Sequence, residues 1–356
     1  MTPSRIVIKI GSNVIAHPNG TVNVALLTEI CRQIADLRQQ SGEIILVSSG
    51  AVASGRSQLV PHKKTDPIAQ RQLWAAIGQT QLINTYTRLL QQHQIICAQV
   101  LVTKEDFRSR MHYLNIRHCL ETILQHQVVP IINENDVVSI TELMFTDNDE
   151  LAGLVAAMLD ADRLVIMTNV DGIYDRHPAD PRAQRIAEAT AKTNFSTMIS
   201  AEKSDFGRGG MLTKSRIAQK LASMGVDVHI VNGNQPGVLT EVTQGASVGT
   251  HFPAQKRATG VKRWISHAEG FVRGSVEVNN GAYRALNDAQ QANSLLLVGV
   301  TGIEGAFEKN DIVQLRNVTK KAFGIGKAQY DATTARALVG QHGHKPLIHY
   351  DHLYLY

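Results

Sequence analysis

The chain has 356 residues, 43% of them hydrophobic and 19% charged, the composition of a folded globular protein with room for about two domains, which excludes a disordered or low-complexity chain. No uninterrupted apolar run approaches the roughly 20 residues that cross a bilayer, and the start reads into a strand without a charged leader or apolar signal core, so no membrane association and a cytoplasmic location are expected. The formal net charge is +5, and because residues 1–255 are charge-balanced the excess falls in the last hundred residues, a basic body suited to an acidic polymer.

Arg5–Ile10 is a near-continuous apolar strand with Lys9 inside it. A lysine there is expensive to bury unless an anion compensates it. The helical spacing of Val24, Leu27, Ile30, Cys31, Ile34 and Leu37 predicts a helix over 22–40, closed by Gly42. Residues 43–47 form the next strand, ending in Ser48-Ser49-Gly50-Ala51, a strand-to-helix turn whose free backbone N–H groups suit an anion. Helices over 67–92 and 108–126 flank a strand over 95–103, and this alternation predicts a parallel sheet. Cys31, Cys97 and Cys119 are odd in number and lack metal spacing, so all three are expected to be small buried hydrophobes.

Residues 128–149 carry the densest polar signal. An apolar run ends in Asn133-Glu134-Asn135-Asp136, and Phe145-Thr146-Asp147-Asn148-Asp149 follows. A buried strand that delivers amides and carboxylates to a sheet's carboxyl edge places them where open α/β sheets bind ligands; a surface turn is the competing reading. A helix is predicted over 150–159, with Asp147 and Asp149 at its positive end. A strand from Arg163 runs into Thr168-Asn169-Val170-Asp171-Gly172, and Pro178–Pro181 marks a loop.

The second polar stretch is Gly207-Arg208-Gly209-Gly210-Met211-Leu212-Thr213-Lys214, opening a helix. Glycines let the backbone approach a phosphate, the helix N-terminus faces it, and Lys214 adds a charge. The string is not a P-loop, which requires a different glycine–lysine spacing. After a strand over 226–231, residues 250–262 are polar and aperiodic and form the best boundary. Beyond it, β-like runs at 274–278, 294–300, 311–315 and 346–350 predict a small β-rich barrel. His342, His344, His349 and His352 lack a cysteine or second ligand pair, and no metal ligand is assigned. Taken together, two lysines on separate elements could offset a phosphoryl group's charge, while the 133–149 cluster aligns a polar or cationic substrate.

The strings Ile8-Lys9-Ile10-Gly11-Ser12, Val47-Ser48-Ser49-Gly50-Ala51, Ile132-Asn133-Glu134-Asn135-Asp136, Asp147-Asn148-Asp149, Met167-Thr168-Asn169 and Gly207–Met211 occur in one order and resemble the amino-acid kinase family, in the branch that phosphorylates the side-chain carboxylate of glutamate. The segment from Lys262-Arg263-Trp264-Ile265 resembles a PUA domain. The resemblance implies a three-layer α/β sandwich with a mostly parallel central sheet over residues 1–258 and a β-rich PUA-like domain over 259–356. It implies ATP as co-substrate, with Mg2+ bridging the phosphates through few protein ligands, and needs no general base, because a carboxylate is already a nucleophile. Lys9 and Lys214 would stabilise the transferring group, Lys214 from the nucleotide side, with Asp149 holding both. Ser49, Gly50, Asp136 and Asn148 would bind L-glutamate in a pocket shaped by Asn133 and Asp147. Lys9, Thr168, Asn169, Arg208, Gly209, Gly210, Met211, Leu212, Thr213 and Lys214 would bind the nucleotide. Feedback inhibition by proline, a homo-oligomer (dimer or tetramer) and RNA contact through the PUA-like domain are also implied. Arg208 and Asn169 depart from the Thr and Asp that many bacterial relatives carry at these positions. Another amino-acid kinase, acting on N-acetylglutamate or aspartate, and an RNA-binding accessory protein are the alternatives; the latter is disfavoured by the scarcity of aromatics among the C-terminal basic residues.

Overall fold

The computed structural model describes residues 4–40, 42–59, 66–107, 110–138, 145, 147–176, 180–190, 193–195, 210–255, 272–288 and 293–356. The chain separates into two compact units, residues 1–257 and 258–356.

In the first unit the order is β1 (Arg5–Ile10), α1 (Ser12–Ile15), α2 (Val24–Gln39), β2 (Glu43–Ser48), α3 (Ala51–Gln58), α4 (Pro67–Gln91), β3 (Cys97–Val102), α5 (Arg110–Gln125), β4 (Val129–Glu134), α6 (Asn148–Met158), β5 (Arg163–Thr168), α7 (Met211–Ser223), β6 (Asp227–Asn232), α8 (Val238–Thr243) and β7 (Thr250–Phe252). The sheet runs β3-β4-β2-β1-β5-β6-β7. Every pairing is parallel except that of β7 with β6.

Successive side chains of a strand point to opposite faces, and here both faces are covered. Ile6, Ile8 and Ile10 join Ile44 and Leu46 in one core with Leu27, Ile30 and Ile34 of α2, Leu82, Tyr86 and Leu89 of α4, and Val238, Leu239 and Val242 of α8. The alternate residues Val7, Ile45, Val47, Ile132 and Ile166 are fully buried on the other face, where α6 packs against β1, β2, β4 and β5 and α7 against α6. This double burial explains why the strands read as continuous apolar runs, and it makes the unit a three-layer sandwich.

Two features bring helices to the sheet's carboxyl edge. A Cβ on Gly55 would run into the Trp74 carbonyl oxygen, and one on Gly78 into that of Ala51, so only glycines allow α3 and α4 to lie this close. The Asp66 carboxylate caps α4, accepting from the Ile68 and Ala69 backbone N–H groups, with Pro67 at the first helical position.

The second unit holds β8 (Gly274–Val278), α9 (Asn280–Leu286), β9 (Val300–Gly305), β10 (Ile312–Arg316), β11 (Ala322–Lys327), α10 (Ala332–Ala337) and β12 (Leu353–Leu355). Its sheet runs β12-β11-β10-β8-β9, with β8 and β10 parallel and the rest antiparallel. Val276, Val278, Val313 and Leu315 anchor its core.

Several expectations are corrected. The runs over 294–300 and 346–350 are not strands, except that Val300 opens β9: Leu295 and Ile348 form a single bridge, and Leu295, Leu297, Leu347 and Ile348 are apolar because they fill the core. The strands follow at β9 and β12. Helix α6 begins at Asn148, two residues before the predicted start, because Asp147 Oδ1 accepts from the Asp149 and Glu150 N–H groups at 2.9 and 3.1 Å. Residues 250–252, inside the polar boundary stretch, pair with β6 as an edge strand. Of the cysteines only Cys31 is buried, where burial pushes its thiol up to about 12; Cys97 is half-buried and Cys119 is exposed. Residues 204–209 and 262–265 lie outside the described residues.

Candidate active site

The parallel strands β1, β2, β4 and β5 all present their carboxyl ends on one edge, and the site is built there. Lys9 lies one residue before the end of β1, on the face covered by α6. Its Nζ is 2.7 Å from Asp149 Oδ1, while Lys214 Nζ, from the first turn of α7, is 2.8 Å from Oδ2. Asp149 is completely buried and Lys9 is 5% exposed. Burial alone would raise the Asp149 pKa, but the two ammonium groups outweigh it and hold the carboxyl well below the usual range. Burial likewise works against the Lys214 charge, and Asp149 reverses it, so that the lysine is held charged above its ordinary value. Two lysines from different layers are thus aimed at one region by a shared carboxylate.

A polar network adjoins this triad. Asn148 Nδ2 lies 2.8 Å from Ser49 Oγ, 3.0 Å from the Ser48 carbonyl and 3.0 Å from Asn133 Oδ1, donating among all three. Asn133 in turn donates to Gln79 Oε1 of α4 at 2.9 Å. Gly50 has φ +99°, a left-handed conformation that turns the chain from β2 into α3, leaving the α3 N-terminus without a side-chain cap. Asp136, just past β4, pairs with Arg71 Nη2 of α4 at 2.6 Å. The buried Glu134 accepts from the Phe145 N–H at 2.9 Å, tying the start of the second polar cluster back to β4.

Asp147 stands apart electrostatically. Burial first, then the neighbouring Asp149 charge, raise its carboxyl to about 6. Its Oδ1 caps α6, whereas Oδ2 is buried without a hydrogen-bond partner among the described residues. A carboxylate oxygen in that position is a ready ligand for a hard cation.

Toward β5, Thr168 and Asn169 sit at the strand end, beside Gly11, whose N–H donates to the Met167 carbonyl at 3.2 Å. The Gly233 N–H donates to the Thr168 carbonyl at 2.7 Å, and Asn232 Nδ2 to Asp171 Oδ1 at 2.7 Å. Gly210 is the N-cap of α7 and its carbonyl accepts from Thr213 and Lys214, with Met211 and Leu212 in the first turn. Arg208 and Gly209 lie outside the described residues.

The structure therefore gathers Lys9, Asp149 and Lys214 into one triad and Ser49, Asn133 and Asn148 into one network, and it places Asp136 just past β4, which carries Asn133. Arg71 and Gln79 escape the sequence reading. They are polar positions of a long helix, eight residues apart on one face, and nothing local marks them until α4 is seen against β4.

A separate cluster joins Asp227, His229 and His251, whose potential ligand atoms lie within 4.8 Å of one another. The imidazoles stack with planes 12° apart, so their in-plane lone pairs run side by side and do not converge on one ion. Asp227 is also held by Arg163 at 3.0 Å. The cluster is a hydrogen-bonded network on β6 and β7, built around the Arg163–Asp227 ion pair.

Residues 4–232 match the amino acid kinase family and residues 274–350 the PUA domain. The chain is 48% identical over 355 residues to the glutamate 5-kinase of Bacteroides thetaiotaomicron, covering 99% of this chain and 98% of that protein. It is 50% identical over 352 residues to that of Chlorobaculum tepidum, covering 99% and 97%. Among solved structures, the isopentenyl phosphate kinase of T. acidophilum superposes with a TM-score of 0.52 at 16% identity, over 70% of this chain and all of that one. The UMP kinase of Bacillus anthracis does so with 0.50 at 15% identity, over 71% and 98%.

Proposed function

Because the chain belongs to the amino acid kinase family, with a PUA domain after the kinase unit, we propose that it transfers the γ-phosphoryl group of ATP to the side-chain carboxylate of L-glutamate. The product is L-glutamyl 5-phosphate, and the reaction is the first step of proline biosynthesis. The observation that carries this reading is the Lys9–Asp149–Lys214 bridge, set one residue from Asn148 and its network, in a chain of the length and order of known glutamate 5-kinases.

Phosphoryl transfer demands positioning and charge stabilisation more than covalent help. Lys9, on the substrate side, and Lys214, at the N-terminus of α7, contact the oxygens of the transferring group from two directions. Asp149 keeps both aimed at one region and holds Lys214 charged. The attacking carboxylate needs no base, and no candidate base has to be found. Asp136 takes the substrate's α-ammonium, while Ser49, Gly50 and Asn148 hold its polar groups and Asn133 and Asp147 shape the pocket. Thr168, Asn169 and the first turn of α7, with Arg208 and Gly209 before it, receive the nucleotide.

Magnesium would enter with the ATP phosphates. The Oδ2 of Asp147, buried without a hydrogen-bond partner among the described residues, would suit an oxygen-seeking, largely hydrated ion, which when bound would supply additional positive charge to the phosphates. Proline, sharing an α-carboxylate and an amine with glutamate, competes for the same pocket. A homo-oligomer, RNA contact through the basic PUA domain and a cytoplasmic location complete the proposal. Among the described residues no helix is long and apolar enough to cross a membrane.

The test is an ATP- and magnesium-dependent assay with hydroxylamine as trap, run across L-glutamate, N-acetyl-L-glutamate and L-aspartate. Hydroxamate from glutamate alone supports the reading. Hydroxamate preferentially from N-acetylglutamate or aspartate assigns a different substrate, and none from any acid removes the kinase assignment.

A further inference from the structure

We propose that Arg71 is a specificity-determining residue that reads the α-carboxylate of the substrate, forming with Asp136 a two-charge clamp for the α-ammonium and α-carboxylate. The inference rests on glutamate being the substrate and goes beyond it by naming the group that selects an α-amino acid over a simple dicarboxylate or amine.

The amino-acid headgroup is a zwitterion, so a site that desolvates it needs an anion for one end and a cation or several N–H donors for the other. Asp136 supplies the anion. Lys9 and Lys214 are committed to Asp149 at 2.7 and 2.8 Å and serve the opposite, reacting end of the substrate. Arg71 is the cation in contact with Asp136. Its Nη2 is 2.6 Å from Oδ1, and its side chain is 31% exposed against 10% for Asp136, so the arginine is the more solvent-accessible member of the pair. The pair engages Oδ1 of Asp136, which leaves the second oxygen for an ammonium. On Arg71, Nε is buried without a hydrogen-bond partner among the described residues. A guanidinium offers five donors in a planar fork matched to a carboxylate, and among the described residues only Nη2 of this fork has a partner, Asp136.

The placement of Arg71 is built in. Gly55 and Gly78 allow α4 to lie directly on α3, whose uncapped N-terminus begins at Gly50. From the same face of α4, Gln79 bonds Asn133 and Gln72 donates to the Val137 carbonyl at 2.8 Å. One helix thus reaches the polar end of β4 at three points, through Arg71, Gln72 and Gln79.

The competing role for Arg71 is purely structural, holding Asp136 in place, and substrate analogues separate the two. Glutarate keeps both carboxylates and lacks the amine; 4-aminobutyrate keeps the amine and the reacting carboxylate and lacks the α-carboxylate. The experiment measures the KM for glutamate and for ATP, and inhibition constants for both analogues, in wild type, Arg71→Gln, Arg71→Lys and Asp136→Asn. Loss of a charge-assisted contact predicts a rise of about 10- to 100-fold in the glutamate KM and in the glutarate constant for Arg71→Gln. The 4-aminobutyrate constant and the KM for ATP should stay within about threefold. Arg71→Lys should recover part of the loss, since it restores the charge without the fork. Asp136→Asn should weaken glutamate and 4-aminobutyrate and spare glutarate. If Arg71→Gln leaves glutarate unchanged while glutamate weakens, Arg71 acts only through Asp136 and the proposal is overturned; unchanged glutamate binding overturns it too. Failure of the underlying reading looks different, because wild-type protein would then show no glutamate-dependent turnover of ATP at all.

Discussion

Replacing Asp149 with asparagine keeps the shape of the site and removes the charge that holds it together. In the native protein that carboxylate is completely buried between Lys9, 5% exposed, and Lys214, whose side chain is 12% exposed. Asp149→Asn therefore strands two ammonium groups in a largely dry site. Breaking a buried ion pair from one side costs about 3–5 kcal/mol. Part is returned, because Asp147 loses the like charge that helps to raise its carboxyl, a relief on the order of 1 kcal/mol. The net loss of about 2–4 kcal/mol corresponds, for a unit of this size, to a fall in Tm of about 4–16 °C. The assay is thermal unfolding at pH 7.5, with and without magnesium and a non-hydrolysable ATP analogue. The analogue's phosphates supply the missing anion to both lysines, so it should raise the Tm of Asp149→Asn by more than it raises that of wild type. A fall below 2 °C without nucleotide, or an equal nucleotide shift in the two proteins, would refute the assignment of Asp149 as the shared counter-ion.

Three further outcomes follow from the same geometry. Lys9→Ala or Lys214→Ala should lower kcat by about 100-fold or more, the scale for losing one pre-positioned charge-stabilising donor, and a near-normal kcat in steady-state assays would remove that lysine from the reaction. Asp147→Asn keeps the Oδ1 cap on α6 and removes a carboxyl held at about 6 where 3.8 is ordinary. That carboxyl costs the fold nothing when protonated in both states, below about pH 3.8, and on the order of 3 kcal/mol once ionised in both, above about pH 6. Urea midpoints should therefore show Asp147→Asn more stable than wild type at pH 8, with the gain vanishing toward pH 4; a less stable variant at pH 8 contradicts this. Gly78→Ala drives a methyl group into the Ala51 carbonyl, so α4 must move off α3. The expected result is a loss of several kcal/mol of stability and a weaker KM for glutamate with the KM for ATP little changed, and equal effects on both constants would show that α4 does not serve the glutamate side alone.

The parts of this protein legible in its sequence are those set by local pattern. Double burial of a parallel sheet produces continuous apolar runs, so β1, β2, β4, β5 and β6 stand out. A lysine inside such a run announces that an anion must meet it, and Lys9 does meet Asp149. The partner's identity comes from a helix 140 residues away, which pattern alone does not specify. In the second unit the pattern misleads for a physical reason. Leu295, Leu297, Leu347 and Ile348 are apolar because they fill a small core, whereas β11, Ala322–Lys327, alternates with glycines that make room for its neighbours: a Cβ at Gly324 would meet the Tyr354 carbonyl oxygen and one at Gly326 the Ile348 side chain. Arg71 and Gln79 are invisible for another reason: their surroundings come from long-range packing of α4 on α3 and β4, so nothing in their local sequence sets them apart from solvent-facing residues.

The central claim is that the side-chain carboxylate of glutamate attacks the γ-phosphorus of ATP between Lys9 and Lys214. It is tested most directly with glutamate carrying oxygen-18 in that carboxylate alone. The acyl phosphate formed by such an attack bridges carbon and phosphorus through a labelled oxygen, and its cyclisation to 5-oxoproline breaks the carbon–oxygen bond, leaving that oxygen on phosphate. The account predicts inorganic phosphate bearing one labelled oxygen, resolved by its phosphorus NMR isotope shift, in step with ADP formed. Glutamate-dependent ADP formation that releases only unlabelled phosphate would mean that water or another group is the acceptor, and would contradict it.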